Sequence, residues 1–206
     1  MYSRATFLRT PSGPQGRPPC PPPTLRYVAQ RHPDTGDLHF WSFIDYAIDG
    51  AGRALPGLDP LAMRLVLSLH RAANMLVYDL ESTVHRPRGL SWPGFRVMFV
   101  IWLAGPLEAK KVAELSGMSR AAVSALVGTL EKDGFVVKDR DPDDGRALRL
   151  GLTPAGLDAI ADDFRAHNER EREWADALTE DEQRTLVDLL EKVAARSVHM
   201  GAKQRT

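Results

Sequence analysis

Arg120 and Ser124 are the two side chains of this sequence best suited to contact nucleic-acid bases. Arginine can donate two hydrogen bonds to O6 and N7 of guanine, and a serine hydroxyl can reach several bases or a phosphate. Both belong to a stretch with one apolar stripe at helical spacing, formed by Val123, Leu126, Val127 and Leu130. The opposite side is small and uncharged apart from Arg120, and it consists of Arg120, Ala121, Ser124, Ala125 and Gly128. We therefore predict a helix whose outer face approaches DNA closely; the alternative is an ordinary solvated face.

Start and stop residues on both sides position this helix. Ser119 is expected to be its N-cap and could also contact a phosphate. Gly134 is expected to end it in the left-handed conformation. Upstream, Ala113 and Leu115 belong to a preceding helix, and Gly117 supplies the sharp turn between the two helices. A helix, a glycine-containing turn and a second helix form the arrangement that places the second helix in a DNA major groove.

Beyond this helix the pattern changes from helical to extended. Residues 135–137 and 148–152 favour two strands, since β-branched and aromatic residues dominate the first and leucines alternate in the second. The intervening residues 139–146, DRDPDDGR, include a proline and a glycine and are predicted to be a hairpin loop. The expected structure is a winged helix, with an arginine near the hairpin tip that would enter the minor groove.

Other basic residues near this region are candidates for phosphate contacts. Such contacts position a protein on DNA and make binding salt-dependent without reading the sequence. Arg140 could contact the DNA backbone or pair with Asp139 or Asp141, and the sequence leaves both alternatives open. The remaining candidates are Arg96, Lys110, Lys111 and Lys138.

From about Asp59 to the C-terminus the sequence resembles the MarR family of bacterial transcription regulators. The resemblance rests on LSGMSRAAVSALVGTLEKDGFV at 115–136, on the hairpin DRDPDDGR and on the LTPAG that follows at 152–156. It implies a mainly α-helical fold with a small β-wing, in which a winged helix-turn-helix is flanked by N- and C-terminal dimerisation helices. It also implies that Arg146 is the wing-tip arginine and that Asp144 orients its guanidinium or braces the loop.

The chain is predicted to have three parts. Residues 1–24 are a proline-rich arm, expected to be disordered or polyproline-like. Residues 25–58 are an N-terminal extension with a short amphipathic helix, for which Asp37 could be the cap and Gly50 the stop. We expect this helix to pack on the dimerisation lobe; the alternative is a lid that gates an effector site. Residues 59–206 are the part that resembles the MarR family.

Within residues 59–206 we expect the winged helix at about 91–152 and dimerisation helices at about 59–86 and 153–200. Helix starts are predicted at Asp59–Pro60, at Ser91 with Pro93, at Thr153–Pro154 and at the capping box of Thr179 and Glu182. Such long, one-sided terminal helices would not be stable alone, and the resemblance implies that they interlock with a second subunit. A two-fold dimer would present its recognition helices to a palindromic site with half-sites about 10 bp apart.

Charge and composition are compatible with DNA binding without requiring it. The 206-residue chain has a formal net charge of zero, but residues 61–150 carry 13 Lys and Arg against 10 Asp and Glu, and residues 151–206 carry 8 against 12. There is no run of about 18 apolar residues to span a membrane and no apolar segment typical of a secretory signal. Cys20 is the only cysteine. We therefore expect a cytoplasmic protein without disulfides and without a membrane partner.

We expect no metal ion and no cofactor. The six histidines are scattered without an HxxxH pair, and Cys20 lies in the proline-rich arm, where it is a poor candidate for oxidation sensing. The resemblance implies that a small aromatic effector could bind between the dimerisation lobe and the winged helix. The candidates for its pocket are His70, Tyr78, Trp92, Phe95 and Trp102, although residues of these types are more often ordinary core or interface residues.

These patterns predict a homodimeric, sequence-specific DNA-binding transcription regulator, more often a repressor, that a small molecule could release from DNA. One alternative is a dimerisation module of a larger enzyme, since winged helices also occur as enzyme appendages. The sequence has no nucleophile–base pair, phosphate-binding glycine loop or metal cluster that would favour an enzyme. The other alternative is a winged helix that binds proteins and has lost DNA binding.

Overall fold

The computed structural model describes residues 36, 38–140 and 148–201, which form seven α-helices and a three-stranded sheet. In chain order the elements are α1 (Ser42–Ala54), α2 (Pro60–Leu80), α3 (Trp92–Ala104), β1 (Leu107–Glu108), α4 (Ala109–Ser116), α5 (Arg120–Lys132), β2 (Val136–Arg140), β3 (Leu148–Leu152), α6 (Pro154–Ala175) and α7 (Glu180–His199). The predicted fold class, mainly α-helical with a small β-wing and a winged helix-turn-helix, is confirmed.

Helix α3 lies at the centre of the winged helix. Ser91 caps it, because its Oγ accepts the backbone N–H of Gly94 at 3.1 Å, and Gly105 ends it at φ +79°. The helix packs against α4, α5, α6 and β3, so it is apolar nearly all round. The core around it consists of Leu90, Phe95, Val97, Met98, Ile101, Val112, Ala113, Met118, Val123, Val127, Leu130, Val136, Leu150 and Ile160.

The sheet has the antiparallel order β1–β3–β2. The two-residue strand β1 was not predicted, since it exists only by pairing Leu107 with Leu150 on the distant strand β3. The prediction that Asp139 and Arg140 belong to the hairpin loop is wrong. Both residues extend β2, because β3 offers them ladder partners: Asp139 pairs with Arg149, and Arg140 pairs with Leu148.

Helix α2 starts as predicted. The Asp59 carboxylate accepts the N–H groups of Leu61 at 2.9 Å and Ala62 at 3.0 Å. Beyond Leu80 the helix continues through a π-helical turn at Glu81–His85 and a 3-10 turn at Arg86–Arg88. It ends at Gly89, which takes the left-handed conformation at φ +79°.

Helix α1 differs from its prediction at the C-terminal end. Gly50 does not stop it, because a glycine inside a helix weakens it by about 1 kcal/mol without breaking its hydrogen bonds. The helix runs on to Ala54, and the chain turns at Gly57 with φ +91°. At the other end the imidazole of His39 accepts the N–H groups of Trp41 and Ser42 at 3.3 Å each, whereas Asp37 lies outside the described residues.

The C-terminal helices begin where the capping residues predicted. Thr153 Oγ1 accepts the N–H of Gly156 at 3.0 Å at the start of α6. Before α7, Thr179 N–H donates to Glu182 at 2.9 Å, and Glu182 N–H donates back to Thr179 Oγ1 at 3.4 Å. None of the helices in the described ranges is long and apolar enough to cross a bilayer.

Candidate nucleic-acid interface

The recognition helix candidate, α5, is fixed at both ends and along one side. Ser119 Oγ accepts the N–H of Ala122 at 3.2 Å, as expected for the N-cap. At the other end Gly134 has φ +78° and donates its N–H to Glu131 at 3.1 Å. The stripe Val123, Val127 and Leu130 is buried in the winged-helix core. These contacts leave the opposite face of α5 turned outward from that core.

The outward face of α5 has the composition that the spacing predicted. Arg120, Ala121, Ser124 and Ala125 are exposed, and Gly128 is half-buried. Arg120 makes no hydrogen bond or ion pair with any described residue, and its side chain is exposed. A cationic group on an otherwise small, neutral face can approach a groove without steric obstruction. Base contact by Arg120, Ala121 and Ser124 remains a prediction.

Arg96 holds the turn between α4 and α5. Its guanidinium donates a hydrogen bond to the carbonyl of Ser116, the last residue of α4. The next residue, Gly117, is left-handed at φ +63°, and a Cβ there would lie 3.3 Å from Arg96 Nη2. Arg96 therefore positions the helix-turn-helix from α3, a role that the sequence did not reveal. This positioning role does not test the predicted phosphate contact by Arg96, which stays a prediction.

Two of the candidate lysines are paired with glutamates in the unbound chain. Lys111 Nζ lies 2.8 Å from Glu114, and Lys138 Nζ lies 2.6 Å from Glu131. The hydrogen bond and charge of Lys111 lower the pKa of the Glu114 carboxyl below its ordinary value. Lys110 is exposed on the first turn of α4. Phosphate binding by Lys111 or Lys138 would compete with these glutamates.

The basic residues of the wing are only partly within the described structure. Arg140 is exposed at the outer end of β2, opposite Leu148. Asp144 and Arg146 lie in 141–147, outside the described residues. The minor-groove contact of Arg146 and the role of Asp144 in orienting its guanidinium or bracing the loop therefore remain predictions that rest on the sequence.

Comparisons with known proteins agree with this geometry. Residues 90–148, which include the helix-turn-helix and the hairpin, match the model of the MarR family. The chain is 37% identical to the HTH-type transcriptional regulator YwaE of Bacillus subtilis over 133 residues, which is 65% of this chain and 78% of YwaE. The chain belongs to the MarR family. MarR-family proteins are DNA-binding transcription regulators and not enzymes.

Solved MarR-family structures share the fold. The transcriptional repressor CouR of Rhodococcus jostii RHA1, bound to a 23-mer DNA duplex, is 27% identical with a TM-score of 0.59; the match covers 65% of this chain and 94% of CouR. The regulator PcaV of Streptomyces coelicolor, in complex with its natural ligand, is 25% identical with a TM-score of 0.55. That match covers 68% of this chain and 98% of PcaV.

The five residues predicted to line a MarR effector pocket do not form one group. His70 is exposed on α2 with Nε2 2.9 Å from Asn74, and Tyr78 is 75% exposed on the same helix. Trp92, Phe95 and Trp102 instead join an aromatic cluster between α3 and α6. Its ring centroids lie 5.1–5.7 Å apart in the pairs Trp92–Phe95, Phe95–Phe99, Phe99–Phe164 and Trp102–Phe164. An aromatic ligand would therefore have to insert into or beside a packed cluster.

Two polar clusters that join α2 to α6 were missed at the sequence level. In one, Asp79 binds Arg170 through contacts of 2.6 and 2.7 Å and accepts Trp174 Nε1–H at 2.8 Å. These bonds lower the pKa of the Asp79 carboxyl. In the other, His85 Nδ1 lies 2.6 Å from Asp163 in the interior. The described residues contain no group of three or more His, Cys, Asp or Glu side chains that could hold a metal ion.

Proposed function

We propose that this protein is a homodimeric repressor that binds a palindromic operator, with α5 in the major groove and Arg146 in the minor groove. The observation that carries the proposal is the outward face of α5. It combines the exposed Arg120 with small neighbours on a helix that is capped and buried on its other side. The transcriptional repressor CouR, which is 27% identical to this chain, was solved in complex with a DNA duplex.

The proposed dimer rests on the terminal helices. The stripe Leu186, Leu189, Leu190 and Val193 on α7 is exposed within one chain, as are Leu61 and Leu65 on α2. Apolar stripes of this length on a monomer are typical of protein–protein interfaces. A second copy would cover them by two-fold symmetry and set the two α5 helices about one turn of DNA apart. We place such a regulator in the cytoplasm, where its operator is.

We also propose release from DNA by a small aromatic molecule. The half-buried rings of Trp92 and Trp102 at the edge of the aromatic cluster would stack with such a ligand. PcaV, at 25% identity, was solved with its natural ligand. A panel of phenolic and benzoic acids tested by thermal shift would identify ligands, and Trp102→Ala should remove the shift if the site is here.

The first experiment is selection of bound sequences from a random DNA pool, followed by a gel-shift titration against salt. A repressor of this kind should bind the selected palindrome below micromolar concentration, and log K should fall linearly with log salt. In the same assay, Arg120→Ala should reduce discrimination between operator and random DNA by about 1–3 kcal/mol, because a bidentate base contact is lost. Lys132→Ala, at the far end of α5, is the matched control. Equal losses on both DNAs would mean that Arg120 contacts phosphate only.

One observation favours a second candidate, a winged helix that binds protein instead of DNA. Glu114 and Glu131 neutralise Lys111 and Lys138 on the face proposed for DNA, and the net charge of the chain is zero. If this candidate is correct, the random pool yields no enriched sequence, and binding to DNA is absent at low and high salt alike.

A further inference from the structure

Four titratable side chains form a continuous chain between the end of α2 and α6. Asp163 Oδ2 lies 2.6 Å from His85 Nδ1, His85 Nε2 lies 3.3 Å from His167 Nδ1, and His167 Nε2 lies 3.0 Å from Glu171 Oε1. His85 and Asp163 are fully buried, and His167 is 5% exposed. Glu171 is half-exposed, so this row of four side chains reaches solvent only at Glu171.

The contact between His85 and His167 has room for one additional proton. Three contacts need three hydrogens, but two neutral imidazoles carry only two, and ionised carboxylates carry none. His85 supplies one to Asp163, and His167 supplies the other to Glu171. Two ring nitrogens then face each other as lone pairs across the longest contact, 3.3 Å. A third hydrogen at this contact would complete the chain and convert the histidine pair into a single shared imidazolium.

The surroundings of the two imidazoles make that additional proton unfavourable in this structure, which we call the closed structure. His85 stacks on Phe95 with centroids 4.3 Å apart, and His167 stacks on the same ring at 4.8 Å. Trp92 flanks both imidazoles, at 5.5 and 6.0 Å. Helix α3 thus contributes only aromatic rings, and the charged groups that face His167 are Asp163 and Glu171 from its own helix and, when protonated, His85 from α2. The nearby Arg170 is occupied by Asp79 and Glu173.

Burial lowers the pKa of His167 below its ordinary value of about 6.5, and the Glu171 carboxylate opposes this effect. The closed structure therefore takes up the proton at a lower pH than a form in which the rings reach water. Stabilisation of the closed form is fully present above the ordinary pKa. It is lost as the pH falls from about 6.5 towards the lowered pKa.

We propose that Asp163, His85, His167 and Glu171 form an acid-sensitive latch that closes the junction between α2 and α6 near neutral pH and opens when the histidine pair takes up one proton. The latch sits where the terminal helices meet the winged helix, because His85 belongs to the end of α2 and stacks on α3. When the latch opens, the angle between the terminal helices and the winged helix is no longer fixed by these contacts. If the proposed function is correct, operator affinity then falls on acidification.

Tryptophan fluorescence reports the latch without DNA, because Trp92, one of four tryptophans, lies beside both imidazoles and a neighbouring imidazolium quenches indole fluorescence. In the full-length protein, fluorescence should fall between pH 7.5 and 5, and NMR of the histidine ring protons should show His167 titrating with a midpoint below 6.5. Hydrogen exchange at 81–88 and 160–171, corrected for the intrinsic rate, should rise by at most tenfold per pH unit, since one proton is linked. His167→Gln, which keeps a hydrogen-bonding side chain that does not titrate, should remove all three changes.

Two variants separate a titrating latch from a merely structural contact. Glu171→Gln should move the midpoint to lower pH, since the carboxylate that favours the imidazolium is removed. His199→Gln changes an exposed histidine bonded only within α7 and should leave every curve unchanged. Titration of His167 at its ordinary value of about 6.5, or an unaltered acid response in His167→Gln, would overturn the proposal. These readouts need no DNA, so a latch that works in a protein without operator binding would refute the repressor and not the latch.

Discussion

The winged helix and helix α7 place their apolar side chains in opposite environments. In the winged helix, Val97, Met98, Val112 and Val123 are fully buried by residues of the same chain. On α7, Leu186 is 45% exposed and Leu189 is 52% exposed. Helices α4 and α5 of the winged helix have the sequence pattern of an amphipathic helix, as α7 does, yet the winged helix completes its core within a single chain and α7 does not. The difference indicates that the winged helix completes its core within one molecule, whereas α7 leaves an apolar stripe that a second copy covers in the proposed dimer.

The largest expected effect is on the proposed dimer. Leu190→Glu on α7 removes from each subunit a leucine that the proposed dimer would bury, and it introduces two charges. At about 2 kcal/mol for each leucine, the dimer should weaken by about 4 kcal/mol, or roughly a thousandfold in Kd. Analytical ultracentrifugation over a concentration series would measure it, with the neighbouring Glu191→Gln as the control. A dimer of unchanged affinity would show that α7 is covered by something else.

The next largest effect concerns the contact that joins α6 to the winged helix. A Cβ on Gly156 would lie 2.1 Å from the carbonyl oxygen of Phe135, which also accepts the N–H of Thr153 at 3.0 Å. Gly156→Ala should therefore lower the free energy of unfolding by about 3 kcal/mol through overpacking. Urea unfolding would measure the loss.

The control for this contact is Gly52→Ala on α1, where nothing lies within 4 Å of the added carbon. That substitution should be neutral or stabilise the protein by up to about 1 kcal/mol. If the urea midpoint of Gly156→Ala depends on protein concentration more strongly than that of the natural chain, the defect lies in the dimer and not in the winged helix.

The smallest effect compares the two N-caps. Ser119→Ala and Thr179→Ala each remove a hydroxyl that accepts a backbone N–H at the start of a helix, and each should cost about 1 kcal/mol. The loss at Ser119 should not depend on protein concentration, because α5 is packed within one chain. The loss at Thr179 should appear as weaker dimerisation. Thermal unfolding at two protein concentrations distinguishes them, and identical behaviour would contradict the contrast between the regions.

The sequence was sufficient where structure is determined by neighbouring residues. Ser119, Gly117 and Gly134 act within one helical turn of their own position, so the helix-turn-helix and the outward position of Arg120 could be predicted. The hairpin strands followed from a change of period, although β2 runs three residues further than expected because β3 offers partners for Lys138, Asp139 and Arg140.

The sequence was insufficient where contacts join distant segments. His85 and Asp163 meet across 78 positions, and no local pattern could pair them. The spacing of Asp163, His167 and Glu171 at every fourth residue did place three titratable groups on one face of α6, a pattern that could have indicated a polar cluster. Arg96 shows the same limit, since its partner Ser116 is reached only after α3 and α4 fold against each other.

Helix α1 is attached almost entirely through α2. Ile44 and Ile48 are its buried residues, Asp45 forms an ion pair with Arg64, and Arg71 lies over the rings of Phe40 and Phe43. The described contacts of α1 are thus concentrated on one neighbouring helix, and α1 lies far along the chain from the winged helix. Removal of α1 would therefore leave the proposed recognition helix and its capping contacts in place.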